Sequence, residues 1–168
     1  MTAVFSAICR ARPQERAALV KEMYDARIDP AEFREALEVA LEQSQNYLDV
    51  IEAAGGFDGL MCWCWYADFP IDHLPACFPI YRGGSCSPED LECGLSWTLK
   101  FDCAAWFAMR YTTDKRPPVV LATTIERDWA LAYLGGRGEF EVIPSEVDAI
   151  EVVTDLAAIQ AAASRWRA

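Results

Sequence analysis

The sequence predicts an α+β fold, helices first and strands after them. Three observations carry that expectation. Apolar residues recur at helical spacing through the first third of the chain. From Phe57 to Cys93 proline, glycine and aromatic residues crowd together, and beyond Pro118 short β-branched runs alternate with turns. The expected division is an N-terminal helical segment, 1–56, and a mixed β core with short helices, 57–168, the two forming one compact unit.

The elements follow in order. Pro13 suits a helix start, with Leu19, Val20, Met23 and Tyr24 falling on one side. Asp29-Pro30-Ala31-Glu32 combines an N-cap aspartate, proline at the first helical position and a glutamate three residues after the cap. Phe33, Leu37, Ala40, Leu41, Ser44, Leu48 and Ile51 continue at helical spacing, which predicts one long helix stopped by Gly55-Gly56. Pro70, Pro75, Pro79 and Pro88 predict extended segments and turns for 57–93, with a strand at Cys77–Tyr81. Gly94–Leu99 reads as a short strand breaking into a helix that carries Cys103, Trp106, Phe107 and Arg110 on one face. Strands are expected at Val119–Ile125, Glu139–Ile143 and Ala149–Val153, with 128–134 open between helical turn and strand. Asp155 caps a closing helix in which Leu156, Ile159, Ala163 and Trp166 line up.

Composition narrows the function. The chain has 168 residues, 53% apolar and 24% charged, so it can bury a core and is not disordered throughout. A net charge of -11 argues against nucleic acid and anionic membranes as partners. No apolar run approaches a membrane span, and no signal-peptide apolar region follows Met1–Phe5, so a cytoplasmic location is expected. Seven cysteines are an odd set, read as free thiols. Cys62, Cys64, Cys77 and His73 stand near one another, but Cys62-Trp63-Cys64 has the wrong gap for zinc and no second CxxC exists. No metal is expected.

Three short motifs carry chemistry. Arg82 stands where an apolar strand meets Gly83-Gly84, and a planar cation there suggests a clamp for phosphate or carboxylate. The plain alternative is a surface arginine in a turn. Ser96 and Thr98 share a strand face before a helix; the alternative is Thr98 as a simple N-cap. Glu139 and Glu141 share a face of the next motif, about 7 Å apart, where two carboxylates repel each other. The alternative is an edge strand with a solvated face.

Taken together, the aromatic-Arg-Gly strand, the Ser-x-Thr strand leading into a helix, and Glu-x-Glu before Val-Ile-Pro resemble the ADP-ribosyltransferase superfamily. The similarity is to its Arg, Ser/Thr, Glu-x-Glu class and covers roughly residues 78 to 150. His73, the sole histidine, sets aside the diphtheria-toxin-like class, in which a histidine replaces the arginine. Trp97 departs from the smaller polar residue the family more often has between the serine and threonine. The resemblance implies that Arg82 grips the phosphates and ribose of NAD and that Ser96 steadies the catalytic Glu141. It also implies that Glu139 engages the acceptor, a pairing that goes with arginine. Tyr81, Gly83, Trp97, Thr98 and Phe107 complete the implied NAD-binding set, and Tyr81, Trp97 and Phe101 are candidates for an aromatic wall against nicotinamide. The implied activity is toxin-like mono-ADP-ribosyl transfer, with NAD as substrate and a protein acceptor as partner. The alternatives are an NAD glycohydrolase and a non-catalytic protein of the same fold that binds a nucleotide or partner.

Overall fold

The computed structural model describes residues 3–43 and 47–166. They fall into two compact units, Met1–Pro70 and Ile71–Ala168, so the division lies at residue 70 and not at the expected 56.

The first unit is helical: α1 (Ala3–Arg10), α2 (Pro13–Asp25), α3 (Pro30–Glu42), α4 (Leu48–Ala54) and α5 (Phe57–Ala67). The Asp29 carboxylate accepts from the backbone N–H groups of Ala31 and Glu32, and Pro30 needs no such partner. The long helix expected from here to Ile51 is instead two. Tyr47 takes a left-handed φ of 60°, which no L-residue adopts inside a helix, and α4 restarts after it. Ser44, placed in the expected stripe, lies outside the described residues. Gly55 ends α4 at a φ of 86°.

Helix α5 corrects the extended structure expected after Phe57. Leu60, Trp63, Cys64 and Ala67 are buried at i, i+3, i+4 and i+7, and every proline of the 57–93 stretch falls after the helix has ended. Trp63 and Tyr66 meet Tyr24 and Phe33 at ring-centroid distances between 5.4 and 6.0 Å. Arg34 donates to the Ala67 and Asp68 carbonyls at the end of α5. Burial pushes the Cys64 thiol up to about 12, which leaves it protonated and unreactive at neutral pH.

The second unit contains β1 (Cys77–Gly84), α6 (Pro88–Glu92), β2 (Trp97–Thr98) and α7 (Phe101–Arg110). It continues with β3 (Val119–Glu126), a 3-10 turn at Arg127–Trp129, β4 (Ala130–Leu134), β5 (Glu141–Pro144), β6 (Glu151–Val153) and α8 (Leu156–Arg165). The strands form one antiparallel sheet in the order β4-β5-β2-β1-β3-β6. Together with the helices this is an α+β architecture. The ambiguous 128–134 stretch is thus a short turn and then a strand.

One side of the sheet buries Phe78, Ile80, Trp97, Leu121, Ile125 and Val142 with Leu74 and Leu91. The other buries Val120 beneath Ala104, Ala105 and Ala108 of α7 and Ile159 and Ala162 of α8. Small residues bring α7 close to the sheet: a Cβ on Gly83 would stand 1.7 Å from the Ala104 carbonyl oxygen. Asp155 caps α8 as expected, accepting from Ala158 N–H at 3.0 Å. The inward stripe of α8 runs through Ile159 and Ala162, while Leu156 is exposed. Arg165 holds Asp102, in the first turn of α7, through two hydrogen bonds of 2.7 and 3.0 Å.

Gly83 therefore serves packing, because backbone cannot yield as a flexible side chain can. Gly83→Ala is expected to lower unfolding free energy by about 1–3 kcal/mol or more, read from urea denaturation. An unchanged midpoint would show that α7 is not held this close.

Candidate functional site

Strand β2 lies between β1 and β5, with Thr98 opposite both Tyr81 and Glu141. Ser96 immediately precedes β2, so the expected strand over 94–99 is reduced to two residues. The Ser96 hydroxyl donates to Glu141 Oε1 at 2.6 Å. From β1, Arg82 donates through Nε to the Leu91 carbonyl at 2.7 Å and through Nη1 to the Ser96 carbonyl. Gly94 makes room for it: a Cβ there would stand 1.6 Å from Arg82 Nη2. Arg82 on β1, Ser96 just before β2 and Glu141 on β5 are thus linked in series, through the Ser96 carbonyl on one side and its hydroxyl on the other. The guanidinium expected to clamp phosphate here holds one carbonyl of α6 and one of the α6–β2 connection.

The two glutamates meet by a different route from the one their spacing suggests. Strand β5 begins only at Glu141, and Phe140 has a φ of 53°, so simple alternation does not run back to Glu139. Hydrogen bonds from the end of β2 and the residue after it fix the segment instead. The Thr98 hydroxyl donates to the Glu139 carbonyl at 2.6 Å, and Leu99 N–H donates to the Phe140 carbonyl at 3.0 Å. Thr98 Oγ1 also accepts from Lys100 N–H at 3.1 Å, tying β2 to the N-cap of α7.

Both carboxylates then face one cation. Arg137 Nη2 lies 2.7 Å from Glu141 Oε2 and 3.2 Å from Glu139 Oε2. The Glu141 side chain is 8% exposed, that of Glu139 12%, and that of Arg137 34%. Gly138, at a φ of 69°, and its N–H bond to the Gly135 carbonyl close the turn that returns Arg137 over the strand. Arg137 was not among the residues expected at the site. The available signal was a cation two and four residues ahead of paired carboxylates.

Other expected site residues are placed differently. Trp97, proposed as an aromatic wall, is 2% exposed and belongs to the core, because the alternation that pairs Ser96 with Thr98 turns it to the opposite face. The space beside Gly83 is filled by Ala104 of α7. Tyr81 meets Phe101 edge-on at 5.5 Å, and both pack on the α7 side of the sheet. Phe107 meets Trp106 edge-on at 5.0 Å. Among the described residues no three His, Cys, Asp or Glu side chains are grouped to hold a metal ion, and no helix is long and apolar enough to cross a membrane.

The arrangement makes one fixed negative charge. Glu141 has a hydroxyl donor on one oxygen and a guanidinium on the other, so its orientation is set before any ligand arrives. Compared with family models, curated proteins and solved structures, the chain matches none.

Removing the hydroxyl leaves a buried carboxylate oxygen short of a donor. Ser96→Ala is expected to cost about 1–3 kcal/mol in chemical denaturation. A cost near zero would mean that solvent already serves that oxygen.

Proposed function

We propose that the protein is a mono-ADP-ribosyltransferase that moves ADP-ribose from NAD to a protein side chain, with arginine as the acceptor. The observation that carries this reading is the 2.6 Å hydrogen bond from Ser96 to the buried Glu141, the pair that the family resemblance names as steadying residue and catalytic carboxylate. Glu139 beside it, and the ability of both carboxylates to hold a guanidinium, support arginine as acceptor.

Breaking the bond between ribose C1′ and the nicotinamide nitrogen passes through an oxocarbenium-like transition state, as in glycoside hydrolysis. A fixed carboxylate bonded to the ribose 2′-hydroxyl strengthens its hold as positive charge grows on the sugar. Nicotinamide leaves with the bonding electron pair. A guanidinium nitrogen of the acceptor then bonds C1′ and gives up a proton, for which Glu139 is the nearby base. Arg82 acts through Ser96, by holding the carbonyl of the residue whose hydroxyl orients Glu141.

The test separates the two glutamates. Glu141→Gln removes the charge that both transfer and hydrolysis need, and nicotinamide release should fall about 10²- to 10³-fold. Glu139→Gln should lose transfer to agmatine, an arginine analogue, yet keep much of the slow NAD hydrolysis. Equal losses of hydrolysis in both variants would overturn this division of roles, and full activity in Glu141→Gln would overturn the enzyme. With labelled NAD, free ADP-ribose as sole product would identify a glycohydrolase. Ligand binding without turnover would identify a non-catalytic nucleotide-binding protein.

A further inference from the structure

We infer that Trp166, at the end of α8, is a positioning residue for Glu139: it seats the ring of Phe140 and so holds the left-handed turn between the two glutamates. The role of Glu139 toward an acceptor rests on the transferase reading, whereas the seat of Phe140 rests on geometry alone.

Phe140 has a φ of 53°. A bulky L-residue is disfavoured in that region by about tenfold, and it stays there only where its surroundings demand it. Here the backbone is held by Leu99 N–H, which donates to the Phe140 carbonyl at 3.0 Å. The ring is met by residues at two helix ends. Trp166, the C-cap of α8, stands edge-on to it, with centroids 6.5 Å apart and planes at 72°. The ammonium of Lys100, the N-cap of α7, lies 5.0 Å from its centroid. Both distances fall in the attractive range for their kind. Next to Trp166, Arg165 ties the end of α8 to Asp102 in the first turn of α7. The seat is therefore built where α7 and α8 meet, apart from the sheet ladder that holds Glu141.

What Trp166 supplies there is its ring and not its polar atom. Among the described residues its indole N–H is buried with no hydrogen-bond partner, which counts against tryptophan as a stabiliser. Phenylalanine offers an aromatic contact without that N–H. Glu139 is also held by Thr98 at its carbonyl and by Arg137 at its carboxylate. Neither bond fixes the rotation at Phe140, through which Glu139 is joined to β5.

The experiment uses the full-length wild type, Trp166→Ala, Trp166→Phe, Phe140→Gly and the double variant Trp166→Ala/Phe140→Gly. Losing one aromatic contact weakens the turn by about two- to tenfold. Exchange of the Leu99 amide proton, followed by NMR against the amides of β3, should quicken by that factor in Trp166→Ala and match wild type in Trp166→Phe. Glycine takes a left-handed turn freely, so in Phe140→Gly the further change Trp166→Ala should leave Leu99 exchange as it was. With NAD present, the agmatine KM for nicotinamide release should rise at least about twofold in Trp166→Ala, while hydrolysis without agmatine keeps its rate. Leu99 exchange that is unchanged in Trp166→Ala, or quickened no more than that of β3, would overturn the inference, and so would an unchanged agmatine KM. Should Trp166→Ala fail to fold, Trp166→Leu keeps apolar bulk without a ring and is read in the same way. Quicker Leu99 exchange with no nicotinamide release from any form, wild type included, would leave the seat of Phe140 standing and remove the transferase reading, and with it the role of Glu139.

Discussion

The sheet of the second unit depends on a strand two residues long. β4 and β5 lie on one side of it, β1, β3 and β6 on the other, and Trp97–Thr98 joins them through few backbone pairs. So short a strand cannot hold a register by ladder hydrogen bonds alone, since each contributes only about 1 kcal/mol net. Side chains supply the rest. Arg82 ties the β1 side to the Ser96 carbonyl, Ser96 ties the same residue to Glu141 on β5, and Thr98 ties β2 to the Glu139 carbonyl. Trp97 anchors the strand from the opposite face, buried between the two halves' apolar residues. The polar groups assigned to chemistry are therefore also the groups that keep the sheet in one piece.

This double duty explains how a carboxylate can stay buried at Glu141. A buried charge is tolerated where hydrogen bonds and an opposite charge replace the water it has lost. Ser96 and Arg137 replace it on separate oxygens, and the β5 ladder holds the backbone on which the carboxylate is mounted. Arg137 also answers the repulsion between two neighbouring carboxylates. A sequence with the same glutamates and no cation within reach would be driven to separate them.

Parts of this were legible in the sequence, and the reasons differ by residue. Asp29-Pro30 announced a helix because the cap and the proline act locally, within one turn. β3 was legible from its β-branched run. The helix at Phe57–Ala67 was hidden by the composition of the whole 57–93 stretch, although its own apolar residues keep helical spacing. The meeting of Ser96 with Glu141 could not come from periodicity, since the residues are far apart in sequence and only the sheet order unites them. Arg82 was expected to keep its guanidinium for a ligand because its partners, the carbonyls of Leu91 and Ser96, become visible only when α6 and the loop after it are folded onto β1. Tyr47 interrupts a helical pattern that its neighbours support, a tertiary choice that local spacing does not encode.

The same frame makes the two glutamates unequal, and that inequality is what chemistry at this place would use. Glu141 is paired in the sheet on both sides, with Thr98 and with Leu134, and its carboxylate is held on one oxygen by Ser96 and on the other by Arg137. Glu139 stands outside the strand, separated from it by the left-handed Phe140, and its side chain is the more exposed of the two. A charge that stabilises a transition state works best when it need not reorganise, whereas a group that receives a mobile acceptor has to accommodate several approaches. The sheet ladder holds Glu141 directly, whereas Glu139 is held from outside it, by its carbonyl to Thr98 and its carboxylate to Arg137. Left-handed Phe140 is where that difference is made: a strand continued through it would have locked both carboxylates alike.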